Sequence, residues 1–112
     1  MRYVEIKKEK IPYEFTLDNR FYFEVRHNNF NNVLYFVLYD RKYSTENDGK
    51  GRILGEGDEK AIIDFPLFWV YQRDANPNFP SYKLTPRSLD GRNYSVTYEN
   101  INDKVVMEYE LI

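Results

Sequence analysis

A chain of 112 residues is sized for a single domain with one core, in which folding buries roughly two-thirds of the surface that the unfolded chain exposes. Its 42% hydrophobic and 30% charged residues argue against wholesale disorder, and 16 basic against 18 acidic residues leave a net charge of -2, no global field to attract a phosphate backbone or an anionic membrane. The absence of cysteine excludes disulfides, a thiolate nucleophile and a thiolate metal site.

The composition departs from the ordinary in its aromatics: eleven Tyr, eight Phe and one Trp, side chains that suit a pleated, half-buried surface better than a helix. No apolar run approaches the ~20 residues of a membrane span, and Met1 to Lys7 lacks the apolar stretch of a signal peptide. Synthesis and folding in the cytoplasm are therefore expected.

In chain order, Arg2 to Ile6 alternates briefly, with Val4 and Ile6 on one side, and predicts a first strand at a sheet edge. Tyr13 to Leu17 alternates large apolar with polar residues, Asp18-Asn19-Arg20 supplies turn chemistry, and Phe21, Phe23 and Val25 then share one face, so the two segments predict a hairpin. His27 to Asn32 is rich in asparagine, whose side-chain amide caps turns, and closes the second strand. Val33 to Tyr39 is apolar on both alternating faces and predicts a central, buried strand.

Asp40 to Gly57 reads as a long hairpin loop with a polar tip at Thr45 to Gly51, the segment expected to be most mobile, after which Arg52 to Gly55 resumes extended structure. Ala61 to Phe65 reads as a further strand, and Pro66 to Tyr71 as its continuation past a kink or as a short helical turn. Asp74 to Pro80 is a loop, Tyr82 to Thr85 a short strand ended by Pro86, and Leu89 to Arg92 an Asp-Gly turn. Val96 and Tyr98, then Val105, Met107, Tyr109 and Leu111, alternate with polar residues, so the chain closes on a strand with one apolar and one mainly acidic face. The whole, residues 1-112, reads as one mostly β domain, a small antiparallel barrel or sandwich of about seven or eight strands.

Chemistry is hard to find. The single histidine, His27, sits beside the asparagine-rich turn with neither cysteine nor a second histidine to complete a zinc site. None of Ser44, Ser81, Ser88 and Ser95 lies in a nucleophile elbow. Glu56, Asp58 and Glu59, between and after Gly55 and Gly57, form an acidic cluster that reads as a solvated turn. Glu46 to Gly49 resembles the start of a calcium loop, but with Gly49 as sixth residue the twelfth is Gly55, which carries no carboxylate. Tyr22, Tyr35, Phe36 and Tyr39 lie near Arg26, Arg41 and Lys42, as in a face that stacks bases, yet Glu14, Glu24, Glu108 and Glu110 share the sheets and oppose a nucleic-acid partner. No enzyme, cofactor or metal is expected. Tyrosine is enriched at protein interfaces, and Phe68, Trp69 and Phe79, beside proline-containing loops, are the candidate interface anchors.

The order of Ile11 to Leu17, Phe21 to Val25, Tyr35 to Asp40, Pro66-Leu67-Phe68 and Val96 to Ile101 before a terminal strand resembles the small baseplate plug proteins of contractile-tailed bacteriophages, which also occur in prophages. The resemblance rests on hydrophobic and turn patterns over nearly the whole chain; Arg41 to Arg52 and Asp74 to Pro80 depart from it. It implies a structural tail subunit that contacts hub or tube proteins, with homo-oligomers possible, present in the host cytoplasm during assembly and then in the virion tail. The alternative reading is a small β module binding a ligand such as a carbohydrate, on whose rings aromatic faces stack.

Overall fold

The computed structural model describes residues 2-112. Among these residues, seven strands form two antiparallel sheets: β1 (Arg2–Val4), β2 (Tyr13–Thr16), β3 (Phe21–His27), β4 (Leu34–Asp40), β5 (Arg52–Lys60), β6 (Tyr82–Ser88) and β7 (Val105–Leu111), with one short α-helix, α1 (Trp69–Gln72), and two single 3-10 turns at Lys8–Lys10 and Arg41–Tyr43. One sheet has the order β1-β7-β6 and the other β2-β3-β4-β5. The mostly β class, the predicted β2–β3 hairpin and the interior position of β4 are all present, in the arrangement of a small sandwich.

Alternation explains the packing. Phe21, Phe23 and Val25 of β3 and Leu34, Phe36 and Leu38 of β4 turn to the other sheet and meet Leu84, Val105 and Met107. Phe23 is the hub: its ring stacks on Phe15 at 5.4 Å and lies 6.3 Å from Phe68 and 6.4 Å from Tyr82. Each such fully buried side chain contributes about 1.5–3 kcal/mol relative to exposure.

Five segments differ from the sequence reading. Strand β6 does not stop at Thr85 but passes through Pro86 to Ser88. The strand lies at the end of its three-stranded sheet, so a missing N–H on its outer side breaks no ladder bond, while the Pro86 carbonyl accepts from Asp64 N–H at 2.9 Å. Ala61 to Phe65 forms turns and a single bridge, Ile62 to Ser95, instead of a strand, because Asp64 adopts a left-handed backbone (φ 68°). Val96 and Tyr98 likewise lie outside any strand, Val96 between the bridge residues Ser95 and Thr97 and Tyr98 in a turn. The acidic cluster lies within β5: Leu54 opposes Leu38 and Glu59 opposes Phe36, five steps against two, so β5 carries three extra residues in a bulge. Gly55 and Gly57, at φ 72° and 98°, supply its left-handed turns.

The 41–51 segment departs most. Instead of projecting as a free tip, it folds back over the outer face of β3 and β4. There Tyr22, Val37 and Tyr39 form a second buried cluster, the Tyr22 hydroxyl donates to the Lys50 carbonyl, and the Arg41 guanidinium lies 4.4 Å above the Tyr22 ring. Gly51 makes this return possible: at φ 113°, a Cβ there would sit 2.4 Å from the Asp40 carbonyl oxygen.

Candidate docking surface

Antiparallel topology gathers three connections at one end of the sandwich: the β3–β4 turn, the chain after β5, and the long excursion between β6 and β7. They are tied together. Leu34 N–H donates to Val96 O at 2.9 Å, Tyr98 N–H to Asn32 O at 3.1 Å, and Ile62 bridges Ser95. At this end Phe30 is fully exposed, and Ile62, Phe65 and Leu89 are exposed as well.

The turn that carries Phe30 is built by its asparagines. Asn28 donates its N–H to Val33 O at 3.0 Å and accepts Phe30 N–H on Oδ1 at 2.9 Å. Asn31 Oδ1 accepts Val33 N–H at 3.0 Å. Asn32 takes the left-handed backbone (φ 63°), and its side chain joins His27 Nε2 at 2.6 Å to the Glu99 carboxylate. His27, whose ring lies 5.2 Å from that of Tyr98, is thus a brace for the turn. Asn28, Asn31, Asn32 and His27 all serve the loop's shape, whereas the fully exposed Phe30 ring has no packing role.

The predicted anchors lie elsewhere. Phe68 is not available to a partner: it is 1% exposed, packed against Phe23 and so near Gly55 that a Cβ there would sit 3.2 Å from its ring. Its left-handed backbone (φ 57°) costs about 1–2 kcal/mol, which burial of the ring offsets. Glu59, turned inward beyond the bulge, accepts the Phe68 N–H. Burial pushes that carboxyl up from its ordinary range, and the N–H bond opposes the shift. Trp69 is half-buried beneath the Lys83 ammonium at 5.1 Å, and Phe79 is half-buried, stacked on Tyr71 at 5.5 Å and 9°. Both contribute to the side of the molecule covered by α1. The structure does not bring these three side chains to a common exposed surface.

The acidic cluster is likewise dispersed. Asp58 pairs with Arg26 at 3.2 Å, Glu59 points inward, and Glu56 lies close enough to Tyr71 to raise its phenol, behind the larger effect of burial. Among the described residues, no group of three or more His, Asp and Glu side chains converges to hold a metal ion. The aromatic and basic face around Tyr22 and Tyr39 is closed over by the 41–51 segment. Its charges pair internally: Glu24, almost wholly buried, accepts from Lys50 at 2.8 Å and from Arg26. Burial alone would raise the Glu24 carboxyl, but the two cations outweigh it and hold it below its ordinary value.

Phe30 escaped the sequence reading because the asparagines around it announced a turn. The available signal was the aromatic itself, the one residue of that run for which turn chemistry has no use. No family model matches this chain, and no curated protein or solved structure matches it significantly.

Proposed function

We propose that this chain is a non-enzymatic structural subunit of a phage or prophage tail, of the baseplate-plug type, that docks on hub or tube proteins through the end of the sandwich bearing Phe30. The reading is supported by one observation above all: a fully exposed phenylalanine on a turn whose own hydrogen bonds fix its shape. Such a side chain adds nothing to the stability of the isolated chain, while its burial in a partner's pocket is worth about 1.5–3 kcal/mol. The loop that presents it is already ordered, so docking requires little further loss of conformational entropy. Ile62, Phe65 and Leu89 extend the apolar area at that end. The segment order that resembles plug proteins supplies the tail setting, with assembly in the host cytoplasm preceding incorporation into the virion.

Light scattering on the purified chain, alone and mixed with the proteins encoded beside its gene, tests this. A stable complex with a hub or tube protein is expected. Phe30→Ala should weaken it at least about tenfold, the signature of an interface hot spot, without shifting the thermal unfolding midpoint. A chain that ignores those neighbours, or a complex indifferent to Phe30→Ala, overturns the proposal.

A further inference from the structure

A cleft opens on the outer face of the four-stranded sheet, beside the Phe30 turn and beyond the reach of the 41–51 segment. Its volume is about 560 Å³, within the range of small-molecule sites. Its floor is Tyr35 and Arg26, directly opposed across β4 and β3. One wall is the turn itself, with Asn28, Asn29 and Phe30, and the other is Asp58. Asp58 is there because of the β5 bulge: three extra residues and two left-handed glycines lift the strand out of register and bring the carboxylate to 3.2 Å from Arg26 Nη1. Bulges that re-aim a side chain are characteristic of functional sites.

The chemistry of this lining is mixed in an informative way. Phe30 and Tyr35 offer aromatic faces, whose negative quadrupole attracts weakly polarised C–H groups. Asn28 and Asn29 bring amides that donate and accept, Asp58 accepts, and Arg26 donates. A ligand suited to this set has one face rich in C–H and an edge rich in hydroxyls, and it fits an open cleft at the surface. The geometry points to a carbohydrate-binding site here, in which a sugar ring packs on Phe30 and Tyr35 and its hydroxyls bond to Asp58, Arg26 and the two asparagine amides. This goes beyond docking on tail proteins: the two readings share Phe30, while Tyr35, Arg26 and Asp58 belong to the sugar site alone.

The test is a two-dimensional 1H-15N NMR titration of the labelled full chain with separate neutral hexoses, N-acetylhexosamines and a uronic acid. We expect fast-exchange shifts from at least one sugar, confined to residues 26–30, 35 and 58. Asp58→Asn, an exposed substitution that leaves the fold intact, should weaken binding at least about tenfold, and Phe30→Ala should do the same. If no sugar in the panel shifts these amides at high millimolar concentration, if the shifts fall elsewhere, or if neither variant changes the affinity, the site is not a carbohydrate site. Because the titration uses the isolated chain, its failure says nothing about tail docking. Asp58→Asn should leave any complex with hub or tube proteins unaltered.

Discussion

The two faces of the β3–β4 pair bury their side chains to nearly the same degree by different means. On the inner face Phe21, Phe23, Val25, Leu34, Phe36 and Leu38 make a dry core, held by shape and by removal of apolar area from water. On the outer face Tyr22 stacks on the opposed Tyr39 at 5.1 Å around Val37, and next to them lies a carboxylate, Glu24, gripped by Lys50 and Arg26. The inner face needs only good packing. The outer face needs every hydroxyl and charge to find a partner, and a short covering segment supplies several of them. Losses on the first should therefore be large and insensitive to pH, and losses on the second smaller and titratable.

The largest effect is expected from Phe36→Ala. It empties a fully buried ring site at the centre of the inner face and should cost about 3–5 kcal/mol, read as a lowered urea midpoint at constant m-value. A loss below about 1 kcal/mol, as for a surface substitution, would mean that the inner face is not the dominant core.

Next comes the covering segment. Gly51→Ala places a Cβ 2.4 Å from the Asp40 carbonyl at a backbone conformation that L-residues rarely adopt, a strain of about 1–3 kcal/mol. The same carbonyl group belongs to the residue whose carboxylate takes a two-pronged bond from Arg20, at 2.9 and 2.8 Å. Gly51→Ala should therefore lower the unfolding midpoint and speed protease cleavage between residues 41 and 51. Unchanged cleavage would show that the segment closes without help from Gly51.

Glu24→Gln addresses the charges. Lys50 and Arg26 are each about 40% exposed and can turn to water once unpaired, so the loss is smaller than for a fully buried pair, about 1.5–3 kcal/mol at neutral pH. The pH dependence follows from the direction of the shifts. Glu24 and Asp40 are both held below their ordinary values, Glu24 by its cations against burial and Asp40 by the bond from Arg20. Their contribution is complete above the unfolded values of about 4 and is lost as pH falls through the folded ones. Glu59 works the other way: its raised carboxyl gives back stability as pH falls from neutral. The unfolding midpoint should hold or rise slightly on mild acidification and drop below about pH 4. Glu24→Gln should flatten that acid limb; an unaltered limb would remove Glu24 from it.

These contrasts also mark what is legible in the sequence. Strict alternation in Phe21 to Arg26, and apolar character on both faces of Val33 to Tyr39, locate β3 and β4 and their burial. No local pattern says that residues 41–51 return to cover Tyr22 and Tyr39, since their polar and glycine-rich composition is that of a free tip and the partners of Arg41 and Lys50 on β3 are distant in sequence, Lys50 bonding Tyr22 and Glu24 at separations of 28 and 26 positions. Pro86 misleads because a proline's tolerance depends on whether its strand is at an edge, a property of the sheet. Among the surface candidates, Phe68 beside Pro66 looks like a loop aromatic until the fold turns it inward. Phe30 hides in a turn that its asparagines make self-sufficient.

The smallest effect has the opposite sign and tests the rule that separates the faces. Gln72 of α1 is 2% exposed, yet neither its side-chain oxygen nor its nitrogen has a hydrogen-bond partner within the chain. Tyr22 and Tyr39, equally buried, each have partners for their hydroxyls, in Lys50 and Arg26. A buried amide without a partner costs about 1–3 kcal/mol, and an apolar side chain of similar shape avoids that cost. Gln72→Leu should therefore raise stability by about 1 kcal/mol, visible as a higher urea midpoint. Tyr39→Phe, which removes a hydroxyl that is satisfied and leaves an Arg26 nitrogen without that acceptor, should lower it. If both substitutions destabilise, the Gln72 amide is engaged in the folded protein after all, and satisfaction of polar atoms no longer distinguishes the covered outer face from the packing around α1.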